Sequence, residues 1–479
     1  MKRFVEGEDR SQSTLFPERL DDYIAEDNPV QVIDAFVDNL VLGDLGFERV
    51  VPQITGRPGY HPSTLLKIYI YGYLNRIQTS RRLERETQRN VELMWLTGRL
   101  TPDFKTIADF RKDNGKAIRQ VCREFIGLCR KLELFTQALV AIDGSKFKAV
   151  NSKARNDTRA SMKRRIARMD KHIERYLSLL DQADNEEPSS SELKASELKE
   201  KIVALKAEMQ RLKKRERQLL AHPDKQLSDT DPDSRLMKHG STSSQVGYNV
   251  QTVVDVEHKL ILKHEVTNSP TDMGQLYSMA QLAKQAIPGD DLTVLADRGY
   301  YKGEDIRACH LAGIKVLVPK PLTSNSKALG LFDKRDFRYD SEQDVYHCPA
   351  GEVLSRRHSS VEKGKTIHVY YASAPVCQDC ELRSRCTRGK ERRVRRWEHE
   401  SVLESMAEDL RQKPDAMLIR AQTVEHPFGT LKAWMGASHF LTKRLKNVRT
   451  EMNLLVLAYN LRRMISIMGA VPLMDAIRA

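Results

Sequence analysis

Residues 139 to 150 read LVAIDGSKFKAV, and this short stretch constrains the chain more than any other. Four apolar residues (Leu139, Val140, Ala141, Ile142) lead into an acid, a glycine and a serine, after which apolar and basic residues alternate. That is the pattern of a buried strand that surfaces at Asp143 and continues as an edge. A carboxylate where a buried strand meets solvent is held rigidly and stays reachable, so Asp143 is a candidate ligand for a divalent metal. The alternative for the same residues is an ordinary strand-end turn at Asp143-Gly144.

A second apolar run, LTVLADRGY (Leu292 to Tyr300), also reads as a buried strand ending in an acid, Asp297. Between the two runs, Tyr248–Val254 and Leu260–Val266 read as an antiparallel hairpin turning at Glu257-His258, followed by a helix from Asp272 to Ala286. After the second acid come a helix, Lys302–Ala312, and a strand, Ile314–Lys320. The order of strand with acid, two strands, helix, strand with acid, helix, strand predicts an α/β fold with a ribonuclease-H-like mixed sheet.

Around this core the periodicity changes. Residues 1–135 read as an all-α unit: a polar tail, a helix with Asn28 as cap and Pro29 in its first turn that Gly43 stops, and an apolar helix started by Pro62. A break at Gln78-Thr79 leads to a strongly basic helix capped by Ser80, and two more helices run from about Lys105 to Lys112 and Lys116 to Leu132. Arg81, Arg82 and Arg85 on the basic helix suit a DNA groove or simply face water. In 159–221, Ile166, Met169, Ile173, Tyr176 and Leu180 form one helical seam and Leu198, Ile202, Leu205, Met209, Leu212 and Leu219 another, with the polar turn 185–191 between them. This predicts an inserted antiparallel helical hairpin whose arms reach about 35 to 45 Å at 1.5 Å per residue. The core resumes over 240–320, completing its first parts at 136–158.

Residues 321–397 interrupt the sheet pattern with Cys348, Cys377, Cys380 and Cys386, spaced Cys-x28-Cys-x2-Cys-x5-Cys. Four such thiolates can close a structural zinc site, or stand as reduced neighbours. The run that follows, with Arg392, Arg393, Arg395 and Arg396, is a phosphate-binding candidate or a solvated loop. Residues 398–479 complete the core. There a helix carries a third acid, Glu425, followed by Pro427, which predicts a kink just past the acid. A long apolar helix from Val448 to Met468 then covers a face of the sheet.

Lys plus Arg outnumber Asp plus Glu by 79 − 65 = 14, and the pI is near 9.3, so a polyanion is the natural partner. Nucleic acid is favoured over a membrane, since no segment approaches about 18 continuous apolar residues. The N-terminal residues lack an apolar signal segment, which points to a cytoplasmic location. The three acids are 154 and 128 residues apart and can meet only through the fold. Carboxylates at the ends of adjacent elements are what two-metal phosphoryl transfer requires.

The stretches AIDGSKFKAVNS, LADRGYYKGEDI and RAQTVEHPFGTLKAWMGASHFLTKRL resemble the three motif blocks of bacterial insertion-sequence DDE transposases, and GRPGYHPSTLLKIYIYGYLNRIQTSRRLERETQRN resembles their InsH-type N-terminal domain. The resemblance covers nearly the whole chain. It implies Asp143, Asp297 and Glu425 as a DDE triad holding two Mg²⁺ or Mn²⁺ ions. The substrates would be transposon ends and target DNA, and a homodimer would assemble on them at the bacterial nucleoid. Lys432 falls seven residues after Glu425, as the pattern wants, whereas Arg420 lies five before it instead of four and no Tyr precedes it. Arg420, Lys432 and Arg298 would lie against DNA. Two other readings of the same residues are a catalytically inactive DNA-binding repressor derived from a transposase and a nuclease or resolvase without strand transfer.

Overall fold

The structure is a computed structural model that describes residues 19–52, 58–135, 138–183, 188–239, 243–287, 291–321 and 326–479. The expected N-terminal polar tail, the start of the InsH-like stretch at 56–57 and part of the hairpin turn at 185–187 lie outside the described residues.

Six helices open the described chain: α1 (Pro29–Asp38), α2 (Pro62–Leu74), α3 (Ser80–Thr87), α4 (Val91–Thr97), α5 (Phe104–Asp113) and α6 (Gly115–Lys131). Asn28 starts α1 as the sequence predicts, its side chain accepting from Val30 N at 2.9 Å with Pro29 at the first position. The basic helix α3 is capped by Thr79, one residue earlier than the Ser80 expected, because it is the Thr79 side chain that accepts from Arg82 N. Helix α4 was not foreseen, although its signals are local: Asn90 accepts from Leu93 N at 3.2 Å, and Gly98 ends the helix at φ +59°.

Strand β1 (Leu139–Lys148) follows, and then the insertion: β2 (Asn156–Thr158), the two long helices α7 (Arg159–Ala183) and α8 (Pro188–Ala221), and β3 (Gln226–Ser228), which pairs with β2 at the base. Met162, Leu212 and Leu219 pack there, and Asp157 binds both Arg165 (2.9 Å) and Arg215 (3.0 Å), so one carboxylate ties the two helices together. The chain returns through β4 (Arg235–His239), β5 (Ser243–Asp255), β6 (Ile261–Thr267), α9 (Leu276–Ala286), β7 (Thr293–Leu295), α10 (Gly303–Leu311) and β8 (Lys315–Leu317).

These strands form one mixed sheet. Its order is β4-β5-β1-β7-β8, with β6 on the same side of the long β5 as β4; β5 runs antiparallel to β1, β4 and β6, while β1, β7 and β8 are parallel. The second acid's strand is shorter than the Leu292–Tyr300 expected. Asp297 accepts from Gly299 N at 2.8 Å and turns the chain into a short 3₁₀ segment, Arg298–Tyr300. Alternation along β1 sends Val140 and Ile142 into a core with α9 and α10, and Ala141 and Phe147 into a second core on the opposite face.

Beyond β8 the structure holds a second sheet that the sequence did not announce: β9 (Arg338–Asp340), β10 (Val345–His347), β11 (Val353–Glu362) and β12 (Lys365–Tyr371), then the short helices α11 (Ala374–Gln378) and α12 (Arg383–Cys386), and β13 (Val394–Trp397). All its pairings are antiparallel, in the order β13-β12-β11-β10-β9. Charged residues fill its solvent positions, so the short strands read as loop. Its own core is small, with Phe337, Tyr346, Leu354, Tyr370, Ala372 and Val394 buried.

Four helices finish the chain: α13 (Glu400–Gln412), α14 (Ala416–Gly429), α15 (Leu445–Met468) and α16 (Ala470–Arg478). Contrary to expectation, α14 runs through Pro427 without a break. The irregularity comes later, as a π turn over Thr430–Trp434 in which Met435 N bonds Thr430 O at 2.8 Å. Helix α15 is buried from Met452 to Leu461 because it is wrapped on all sides: α2 and α6 pack against it, and it guards the edge strand β6, where the Asn460 amide bonds both Ile261 N and Ile261 O at 2.9 Å. One continuous core therefore joins the N-terminal helices to α14, α15 and α16. Among the described residues no single helix is long and apolar enough to cross a membrane.

Candidate active site

Asp143 lies on the β1 face that meets α14. Leu295 of β7 pairs with Ala141, so Asp297, two residues further on, emerges level with Asp143 on the neighbouring strand. Burial pushes the Asp143 carboxyl up to about 6; the Arg420 guanidinium and the Gly144 backbone oppose this, while Asp297 and Asp272 add to it.

Arg420 comes from α14. Its Nη2 stands 2.5 Å from Asp143 Oδ1, yet neither Nη2 nor Nε makes an aligned hydrogen bond, and the side chain is only 14% exposed. A half-buried guanidinium that pairs with one half-buried carboxylate and leaves its Nε without a hydrogen-bond partner can still take an anion. Lys432, in the middle of the π turn, reaches the same strand: its Nζ bonds Ser145 Oγ at 2.6 Å and Lys146 O at 3.0 Å and lies 4.7 Å from the Phe147 ring centroid. Burial holds its ammonium below the ordinary lysine value, with Asp143 pulling the other way.

Glu425 does not join the two aspartates. It is exposed and five residues past Arg420, which at 100° per residue places it about 140° around α14 from the side chain that meets Asp143. Among the described residues no three His, Cys, Asp or Glu side chains close around a common point. The structure therefore brings together Asp143, Asp297, Arg420 and Lys432, and leaves Glu425 at the rim.

Sequence reasoning missed the support behind this site. Gly144 and Lys146 point to the sheet face opposite Asp143, where Asp272 Oδ1 accepts from Lys146 Nζ (3.0 Å), Asn249 Nδ2 (2.7 Å) and Gln251 Nε2 (2.8 Å). The buried Tyr300 hydroxyl donates to Gln251 Oε1. This chain of bonds couples the Asp297 turn, through Tyr300, to β5 and β1. It also explains Gly144: a Cβ there would stand 2.2 Å from both Asp272 Oδ1 and Gln251 Nε2. The glycine beside Asp143 was a visible signal, whereas nothing local marks Asp272.

The remaining candidates scatter. Arg81, Arg82 and Arg85 are exposed on α3; Arg81 lies over the Phe104 ring and Arg82 bonds Arg76 O at 3.4 Å. Arg298 is exposed beside Asp297. The arginines expected to bind phosphate on and beside β13 are occupied within the chain. Arg392 bonds Cys386 O and Phe332 O, Arg393 pairs with Glu391 at 2.7 Å, and Arg395 pairs with Glu362. Arg396 is buried, forked onto Glu404, bonded to the Tyr346 hydroxyl at 3.2 Å and stacked on Tyr339.

Residues 18–113 match the family model described as Transposase domain (DUF772), and residues 347–465 match the one described as Transposase DDE domain. The chain belongs to the DDE transposases. Of the three candidate acids Glu425 lies inside a matched segment, whereas Asp143 and Asp297 lie outside both. No curated protein matches the chain. Among solved structures it is similar to the piggyBac transposase in its synaptic complex with hairpin DNA, at 9% identity, over 94% of this chain and 79% of that one. The TM-score is 0.33, and a likeness of that size carries no argument about this transposase.

Proposed function

We propose that this DDE transposase binds the ends of its element, nicks them by hydrolysis and joins the freed 3′-hydroxyl to target DNA, on a ribonuclease-H-like sheet. The observation that carries the reading is the register that brings Asp297, two residues past the end of β7, level with Asp143 on the adjacent parallel strand β1, with Arg420 against Asp143. The order and mixed directions of the strands support the ribonuclease-H-like reading.

A divalent cation fits two of the expected ligands. Asp143 is an acid whose burial is only partly offset by Arg420, and a cation shared with Asp297 would relieve it. Glu425 would complete the set only with α14 turned or shifted. When bound, Mg²⁺ or Mn²⁺ would supply activation of the attacking oxygen and charge stabilisation at the leaving oxygen. The chain's own residues do the rest. Arg420 offers its idle donors to a phosphate oxygen, Lys432 braces β1 beside Asp143, and the Tyr300–Gln251–Asp272 chain holds the Asp297 turn in register.

The reading is tested by metal-dependent cleavage of labelled DNA carrying the element's ends, with binding followed by gel shift. Asp143→Ala and Asp297→Ala are expected to abolish cutting and retain binding, and Glu425→Ala to abolish cutting if α14 moves on DNA. A wild-type chain that binds these ends and never cuts, with Mg²⁺ or Mn²⁺, would leave the repressor reading in place.

We propose in addition that the four cysteines hold a structural zinc ion once drawn together, since among the described residues they share one cavity without closing around a common point. Cys348, Cys377, Cys380 and Cys386 come from three separate segments yet line one cavity of about 30 Å³, and Cys386 senses the other three thiols. No disulfide joins them. They stand beside a core too small to hold a five-stranded sheet alone, the situation in which small units use metal. Purified full-length protein is expected to contain one zinc ion per chain, lost in Cys377→Ser/Cys380→Ser; protein that folds cooperatively without bound zinc refutes the assignment.

A further inference from the structure

A cleft of about 290 Å³ opens between α6, the edge strand β6, α9 and α15. Arg119, Arg123 and Arg130 line it from α6, at spacings of four and seven residues that keep them on one helical face, and Lys263 lines it from β6. The three arginines are exposed, and none of them has an ion pair to a described carboxylate. Arg123 bonds only the neutral Gln120 amide, at 2.9 Å.

The single acid lining the cleft, Glu265, is already committed to Arg449 at 2.5 Å. His264 is committed as well: its Nε2 lies 2.8 Å from Asn453 Oδ1, and burial pushes its imidazole down to about 4, so it is neutral at ordinary pH. Four permanent cations therefore converge on one concavity without a counter-charge. Lys263 registers the strain, since burial and the charges of Arg123 and Arg130 hold its ammonium below the ordinary value. By contrast, Lys146 is paired with Asp272 and Lys67 with Asp34.

We propose that this cleft seats the phosphodiester backbone of a DNA segment, at a second contact apart from the Asp143 site. The inference rests on the transposase reading for the choice of DNA among polyanions. From Arg119 to Arg130 the helix rises about 16 Å, a span over which the three guanidinium groups can each meet a backbone phosphate. Strand β6 lies two strands from β1, about 10 Å across the sheet and away from β7. A duplex on this edge therefore need not enter the space between Asp143 and Asp297. Backbone contacts of this kind position a duplex and carry no sequence preference.

The test uses the full chain and a duplex of arbitrary sequence, with affinity measured by fluorescence anisotropy between about 50 and 200 mM salt. Arg119→Ala/Arg123→Ala/Arg130→Ala is expected to lower the slope of log K against log salt by about 3, and Lys263→Met by about 1, at roughly 0.9 per phosphate contact. Far-ultraviolet circular dichroism confirms that each variant is folded. An unchanged slope in the triple variant overturns the proposal. Failure of the transposase reading looks different: wild-type protein then keeps its arginine-dependent salt slope and cuts no DNA with any divalent metal.

Discussion

The two sheets of this chain each bury an arginine, and the contrast separates a structural cation from a working one. In the five-stranded sheet Arg396, with its side chain 8% exposed, is satisfied: Glu404 takes both ends of its fork, Tyr346 accepts a further bond, and Tyr339 lies under its plane. Over the six-stranded sheet Arg420, at 14%, faces Asp143 with two nitrogens lacking a hydrogen-bond partner. Nearly equal burial thus accompanies opposite states of satisfaction. A fold keeps an idle buried donor only at a cost of about 1 to 3 kcal/mol, so the idle one is the arginine that points to a ligand.

Substitution should split the pair. Arg420→Ala is expected to slow cleavage about 100- to 1,000-fold, as loss of one preorganised donor does, with little change in thermal stability because Asp143 can take up a proton when its partner goes. Steady-state cleavage and calorimetry on the same preparation check both halves. Arg396→Ala should do the reverse, costing about 1 to 2 kcal/mol of folding stability through lost stacking on Tyr339 and lost packing, since the half-exposed Glu404 can hydrate, as read by urea denaturation. An Arg396 variant of normal stability, or an Arg420 variant that unfolds, would erase the distinction.

The smallest effect concerns pH. With its carboxyl pushed up to about 6, Asp143 should bind a divalent ion well at neutral pH and lose it as protons compete below that value. A Mn²⁺-induced rise in melting temperature should therefore fade as pH drops through about 6, and Asp143→Asn should show no such rise. In the metal-free chain the linkage has the opposite sign. A folded-state pKa raised above the unfolded value favours the fold in acid, and that contribution is lost as pH rises through about 6.

Periodicity explains what could be read early. The apolar run before Asp143, the alternation that makes β5 and β6, the two seams of α7 and α8 and the Asn28-Pro29 start of α1 are local patterns, and local sterics and burial suffice to set them. The second sheet escaped because strands such as Lys365–Tyr371 are short and half-buried, and their register comes from neighbours rather than from composition. Pro427 misled for a related reason: packing of Val424, Pro427 and Phe428 keeps α14 helical where the isolated residue would break it.

By itself the sequence determined the two strand-borne aspartates, the helical insertion, the cysteine spacing and the basic character of the chain, because each is written in nearest-neighbour chemistry. Only the tertiary structure decided which charges remain free. Arg392, Arg393, Arg395 and Arg396 look like a phosphate site in one dimension and are tied to partners in three. Arg119, Arg123, Arg130 and Lys263, separated by up to 144 residues (263 − 119), form a cationic cleft that no linear pattern marks. The physical reason is that a charge is neutralised or left open by whatever the fold brings within a few ångströms of it, and sequence distance carries almost none of that information.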